Sequence, residues 1–191
     1  RDIETYLVNW NIFVPPGFAR AHGLDYSHDG TTHYGDGDRS EAVKGLTRTS
    51  ITQVIDEYPD LSGLGITLGE RMGGMTPQER EDWLLETFAA GMKAARRPVK
   101  FIHRGPLSAD KGSGGSTSAD SIAITRAGIS AMGLASPAVV ELKYNWSHGH
   151  STPHLRIVHG GAIADGYWNP PPQDYRLAWT VRNEDFFVLR W

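Results

Sequence analysis

The run Leu64-Gly65-Ile66-Thr67-Leu68-Gly69 has the character of a buried strand, and it closes on a carboxylate, Glu70. Four further stretches repeat that design. Tyr6–Val14 is one; Val99–His103 leads into Arg104, Val139–Tyr144 into Asn145, and Leu177–Val181 into Arg182, Asn183, Glu184 and Asp185. Parallel α/β enzymes place their reactive groups at the C-terminal ends of strands. Five strands tipped with polar chemistry therefore read as most of an enzyme barrel, and point to catalysis more than to a passive module.

The segments between the runs support this. Ile51, Val54, Ile55 and Tyr58 recur at helical spacing and predict a helix over residues 48–58. Thr76-Pro77-Gln78-Glu79 is a helix start, with a capping hydroxyl, a first-turn proline and a glutamate that completes a capping box. That helix is expected to reach Arg97, with Leu84, Leu85, Phe88 and Met92 on its apolar face, Trp83 at its edge and Pro98 ending it. A further helix over residues 117–132 closes on Gly133. Residues 17–45 and 105–119 read as loops, and residues 146–174 as mostly irregular. Strand and helix then alternate, which argues for a parallel sheet with crossover connections. A doubly wound sheet and a (β/α)8 barrel both fit. The large loops all follow strand C-termini, so the expected fold class is α/β, a (β/α)8 TIM barrel, with only about strands 3–7 in this chain. No repeat or linker divides it, so residues 1–191 are expected to form a single catalytic-type barrel domain. Because the sequence opens at Arg1 with no methionine, and Trp191 falls inside the apolar run Phe186–Trp191, that domain is expected to be truncated at both ends.

Composition excludes several function classes. The net charge is −3 and basic residues form no stripe, so nothing favours a nucleic-acid partner. No apolar run approaches the roughly 20 residues that span a membrane. There is no cysteine, which removes disulfides, thiolate catalysis and cysteine-based zinc sites. Gly112-Ser113-Gly114-Gly115 lacks the Gly-Lys-Ser/Thr ending of a phosphate loop. His148-Gly149-His150, and the loop carrying His22, Asp25, His28, Asp29 and His33, offer no assignable complete ligand set. Neither a metal nor a cofactor is expected.

Taken together and in order, Ile66–Glu70, Phe101–Arg104, Glu141–Tyr144 and Arg182–Trp191 resemble bacterial glycoside-hydrolase-like (β/α)8 barrels. Within these, the similarity is to an α-glucuronidase-like or uncharacterised group associated with polysaccharide breakdown, and it runs from about Trp10 to Trp191. The resemblance implies that Glu70 ends the fourth strand and that Arg182–Asp185 end the seventh. Strands one, two and eight would lie outside this sequence, and a piece lacking them would neither close a barrel nor act alone.

Glycoside hydrolysis uses two carboxyl groups, one on each side of the scissile bond. The resemblance makes Glu70 the acid, and Glu184 or Asp185 the nucleophile or base. Strand alternation sends only one of that pair inward. Glu141 is a weaker rival, read as lying early in its strand. His103, Arg104, Lys143 and Tyr144 end the fifth and sixth strands and are expected to orient the sugar, a cationic set that suits an acidic one. Trp146, His148, Arg182 and Asn183 complete the substrate-binding set. Plainer roles compete: Glu70 can pair with Arg71, Glu184 or Asp185 with Arg182 or Arg190, and any single tryptophan can be core. The rival functions are a metal-dependent barrel hydrolase and a degenerate barrel that binds glycans without cleaving them. The expected partner is a carbohydrate, and a secreted or periplasmic location follows from that function alone. Oligomeric state is not legible.

Overall fold

The computed structural model describes residues 3–10, 12–24, 38–68, 72, 74–104, 119–143, 157–158, 161–162 and 165–180. The chain begins with strand β1 (Thr5–Trp10), followed by two helices, α1 (Pro16–His22) and α2 (Glu41–Glu57). After β2 (Leu61–Thr67), α3 (Pro77–Leu84) continues through a π-helical turn, Leu85–Ala89, into α4 (Ala90–Ala94). Next come β3 (Lys100–Arg104), α5 (Ala119–Met132) and β4 (Ala138–Lys143). A small antiparallel hairpin, β5 (Ile157–Val158) with β6 (Gly161–Ala162), and a 3-10 turn, Asp165–Tyr167, precede β7 (Tyr175–Thr180).

Five strands form one parallel sheet in the order β1-β2-β3-β4-β7, the order in which the chain makes them. A doubly wound sheet reverses its strand order at a switch point. The described residues contain no such reversal. The helices α2 to α5 form one layer, α2 packing on the π turn and α4, and α3 and the π turn packing on α5. Strand alternation sends Leu64, Ile66, Phe101, Ala138, Val140 and Leu142 into that layer, where all are buried with Ile51, Ile55, Leu84, Phe88, Ile122 and Ile129. Burying one such side chain is worth roughly 1.5–3 kcal/mol, so this interface holds the layer to the sheet. The result is an α/β fold with a parallel five-stranded sheet, consistent with part of a barrel.

Local chemistry explains the helix limits. Thr76 accepts from the Glu79 backbone N–H at 3.3 Å, and the Glu79 carboxylate accepts from the Thr76 N–H at 2.8 Å, so the capping box is complete. Gly133 follows α5 at φ 60°, the left-handed region that suits glycine. Other expectations need correction. The helix expected over 48–58 begins at Glu41, because the Ser40 hydroxyl caps it by accepting from Val43 N–H. The stretch 17–45 is not one loop, since Pro16 starts α1 at a position where its missing N–H costs nothing. The first strand stops at Trp10, and the helix expected to reach Arg97 ends at Ala94 after its π turn. Arg126 anchors the last crossover, its Nη1 donating to the carbonyls of Gly166 (2.8 Å) and Pro170 (3.1 Å) and to the Tyr175 hydroxyl (3.3 Å).

Candidate functional site

The strand register lines up a row across the C-terminal half of the sheet: Thr67, Arg104, Glu141 and Ala178. Members of such a row share one face. A Cβ added to Gly65, two residues before Thr67, would meet Ile102 Cβ at 2.9 Å and Val8 Cγ2 at 3.2 Å, so those residues define the face turned away from the helices. On it Arg104 joins two neighbouring strands. Its Nε lies 3.2 Å from Glu141 Oε1, and its Nη1 donates to Thr67 Oγ1 at 3.3 Å. Thr67 is buried, and the Arg104 and Glu141 side chains are 17% and 24% exposed. A half-buried guanidinium with its planar fork already ordered is pre-organised to recognise a carboxylate or vicinal hydroxyls.

Glu141 is not early in its strand in any useful sense. It is the fourth residue of β4 and stands level with the last residue of β3. His103, expected at the substrate beside Arg104, lies on the opposite face. It is fully buried in the helix layer, and its Nε2 is 2.9 Å from Glu81 Oε2 of α3. Alternation along a strand is the reason: two adjacent residues cannot both face one cavity. Trp168 packs edge-on against Trp179 at a ring separation of 5.9 Å, and half-buried against the core.

The remaining expected site residues fall elsewhere. Lys143 ends β4 and is described through its backbone, paired with Thr180. Glu70, Tyr144, Trp146, His148, Arg182, Asn183, Glu184 and Asp185 lie outside the described residues. In sequence, Glu70 follows the end of β2, and Glu184 and Asp185 follow the end of β7. Among the described residues no group of three or more histidines and carboxylates is placed to hold a metal ion, and no helix is long and apolar enough to cross a membrane.

Two charged residues near this edge escaped the sequence reading. Arg80 and Glu81 of α3 are buried, at 8% and 1% exposure. Arg80 donates from Nε to the Met75 carbonyl (3.1 Å), from Nη1 to that of Leu68 (3.2 Å) and from Nη2 to that of Met72 (3.2 Å). The available signal was phase: Arg80 is one helical step of four from Leu84, and Glu81 one step of three, so both ride the apolar stripe.

No protein-family model matches the chain, and no curated protein matches it. A solved structure does. A GH138 enzyme targeting pectin rhamnogalacturonan II shares the fold at a TM-score of 0.56 and 21% identity, over 78% of this chain and 19% of that enzyme's chain. The chain thus spans under a fifth of that enzyme's length. At this identity the likeness is one of fold.

Proposed function

We propose that this chain is the central part of a glycoside hydrolase, a (β/α)8 barrel whose reactive groups gather beyond the C-terminal ends of its strands. The observation that carries the reading is the Thr67–Arg104–Glu141 cluster, which puts ordered polar groups at that end of a sequentially ordered parallel sheet. Enzymes built on such barrels collect their chemistry there. The fold shared with a pectin-targeting enzyme supports the same class.

In this reading Glu70, following β2, protonates the departing glycosidic oxygen. Glu184 or Asp185, following β7, attacks the anomeric carbon or activates water. Arg104 engages the sugar, with Lys143, Tyr144, Trp146, His148, Arg182 and Asn183 completing the subsite, and a guanidinium there suits an acidic sugar. A polysaccharide substrate would place the protein outside the cytoplasm, secreted or periplasmic. Glu141 is a second candidate for the partner carboxylate, because it already sits on the face that carries Arg104.

The test is turnover of pectic oligosaccharides by the full-length protein and its Glu70→Gln variant. The variant is expected to lose about 10²–10⁴-fold in kcat with an unchanged melting temperature. Turnover at the normal rate sinks the assignment of Glu70. A parallel Glu141→Gln variant separates the two partner candidates: a comparable loss selects Glu141 over Glu184 and Asp185.

A further inference from the structure

Arg104 reaches in two directions from β3, to Thr67 on β2 and to Glu141 on β4, and both contacts require the three strand ends to stand level. The ladder that holds β3 to β4 is short. Its register comprises three residue pairs: Ile102 with Val139, His103 with Val140, and Arg104 with Glu141. At 3.2–3.3 Å the Arg104 contacts are near the outer edge of hydrogen-bond length, so a small shift of β3 along its axis breaks them.

His103 stands at the middle of that ladder and turns the other way. Its ring is fully buried, meets Phe101 edge-on at 6.5 Å, and places Nε2 2.9 Å from Glu81 Oε2 of α3. Gly128 of α5 closes on Glu81 Oε1, leaving no room for a Cβ. Among the described residues neither Glu81 Oε1 nor His103 Nδ1 has a hydrogen-bond partner, so the 2.9 Å contact is the directional tie between them. The preceding residue, Arg80, donates to the carbonyl of Leu68, next after Thr67, at 3.2 Å. One turn of α3 is thus a common reference for the ends of β2 and β3. Apolar burial is non-directional, whereas a hydrogen bond fixes distance and angle.

We propose that Glu81 and His103 are positioning residues for Arg104: they fix the height of the β3 end, so that the guanidinium arrives between Thr67 and Glu141 with its fork ordered for a sugar. The proposal rests on the reading of Arg104 as a sugar-binding group. Arg104 holds the substrate rather than reacting with it. A displaced fork therefore weakens ground state and transition state alike, and is felt in KM.

The experiment follows full-length wild type, Arg104→Ala, the double variant His103→Leu with Glu81→Met, and the triple combination, on pectic oligosaccharides. The double variant refills the core without the polar tie. Its KM is expected to rise about tenfold with kcat within about twofold, at a melting temperature close to wild type. Arg104→Ala should raise KM by a similar factor in wild type and add less than about twofold to the double variant, because coupled sites are not additive. A wild-type KM in the double variant, beside a raised KM in Arg104→Ala, overturns the positioning role and leaves Arg104 in the site. An unchanged KM in Arg104→Ala overturns both. Should the double variant fail to fold, His103→Gln, which still reaches Glu81 with a nitrogen donor, is expected to keep KM near wild type while the shorter His103→Asn raises it; equal KM values in the two overturn the proposal. A readout without substrate runs alongside. Glu141→Gln should lower the melting temperature less in the double variant than in wild type, and equal losses sink the positioning role whatever the glycans show.

Discussion

Glu81 and His103 meet at 2.9 Å with neither side chain more than 1% exposed, and they join α3 to the helix-covered face of β3. Removing one member of such a pair leaves a polar or charged group stranded in a medium that cannot solvate it. Replacing both with apolar groups of similar volume removes the problem. His103→Leu alone is therefore expected to cost about 3–5 kcal/mol. Adding Glu81→Met to it should recover most of that loss, as read from urea denaturation of the full-length protein. If the double variant is as unstable as the two single losses summed, the pair is not the unit described here.

Gly128 of α5 faces the same glutamate. A Cβ at that position would lie 1.9 Å from Glu81 Oε1 and 2.5 Å from its Cδ and Cγ. In an exposed helix, Gly→Ala gains about 1 kcal/mol of helix propensity. Here overpacking costs about 1–3 kcal/mol and acts on a side chain already held by His103. Gly128→Ala should lower the midpoint of thermal unfolding. A rise would show that α3 and α5 stand further apart than described.

The capping box at the start of α3 makes stability depend on acid. The Thr76 backbone N–H, and next its hydroxyl, hold the Glu79 carboxyl below its ordinary value of 4.5, with the Arg39 guanidinium adding to the effect. A carboxyl whose pKa is depressed by folding contributes stability above its unfolded value and loses it as pH falls through the folded one. Between about pH 6 and pH 3, the melting temperature of wild type should fall further than that of Glu79→Gln. Parallel falls would mean that this cap does not contribute to acid sensitivity.

The features read correctly from sequence were those whose cause is local. The Thr76–Glu79 box and the Gly133 stop each need only a few neighbouring residues, and both are present as expected. The strand–helix order was equally legible, since each apolar run fixes its own element. Errors arose where a residue has two local meanings. A proline can end a strand or open a helix, and Pro16 opens α1. Ser40 caps α2 well before the apolar stripe at Ile51 begins. The site was harder, because a face cannot be assigned until the register is known. Arg104 ends β3 with its side chain on Glu141 and Thr67, whereas His103 beside it turns into the core towards a glutamate 22 positions away. Nothing near His103 in sequence announces Glu81, and nothing near Leu68 announces Arg80.

The π turn at Leu85–Ala89 has a consequence for how this layer can change over time. Bonding five residues back instead of four shifts everything downstream by one residue, about 100° around the axis. The part before the turn can aim Arg80 and Glu81 at the ends of two strands, while the part after it brings Gly91 within contact of Ile51 on α2. A regular helix would have to compromise between those two headings. With the extra residue absorbed midway, the half that serves the strand ends is free to diverge by substitution without disturbing the half that seals the neighbouring helix.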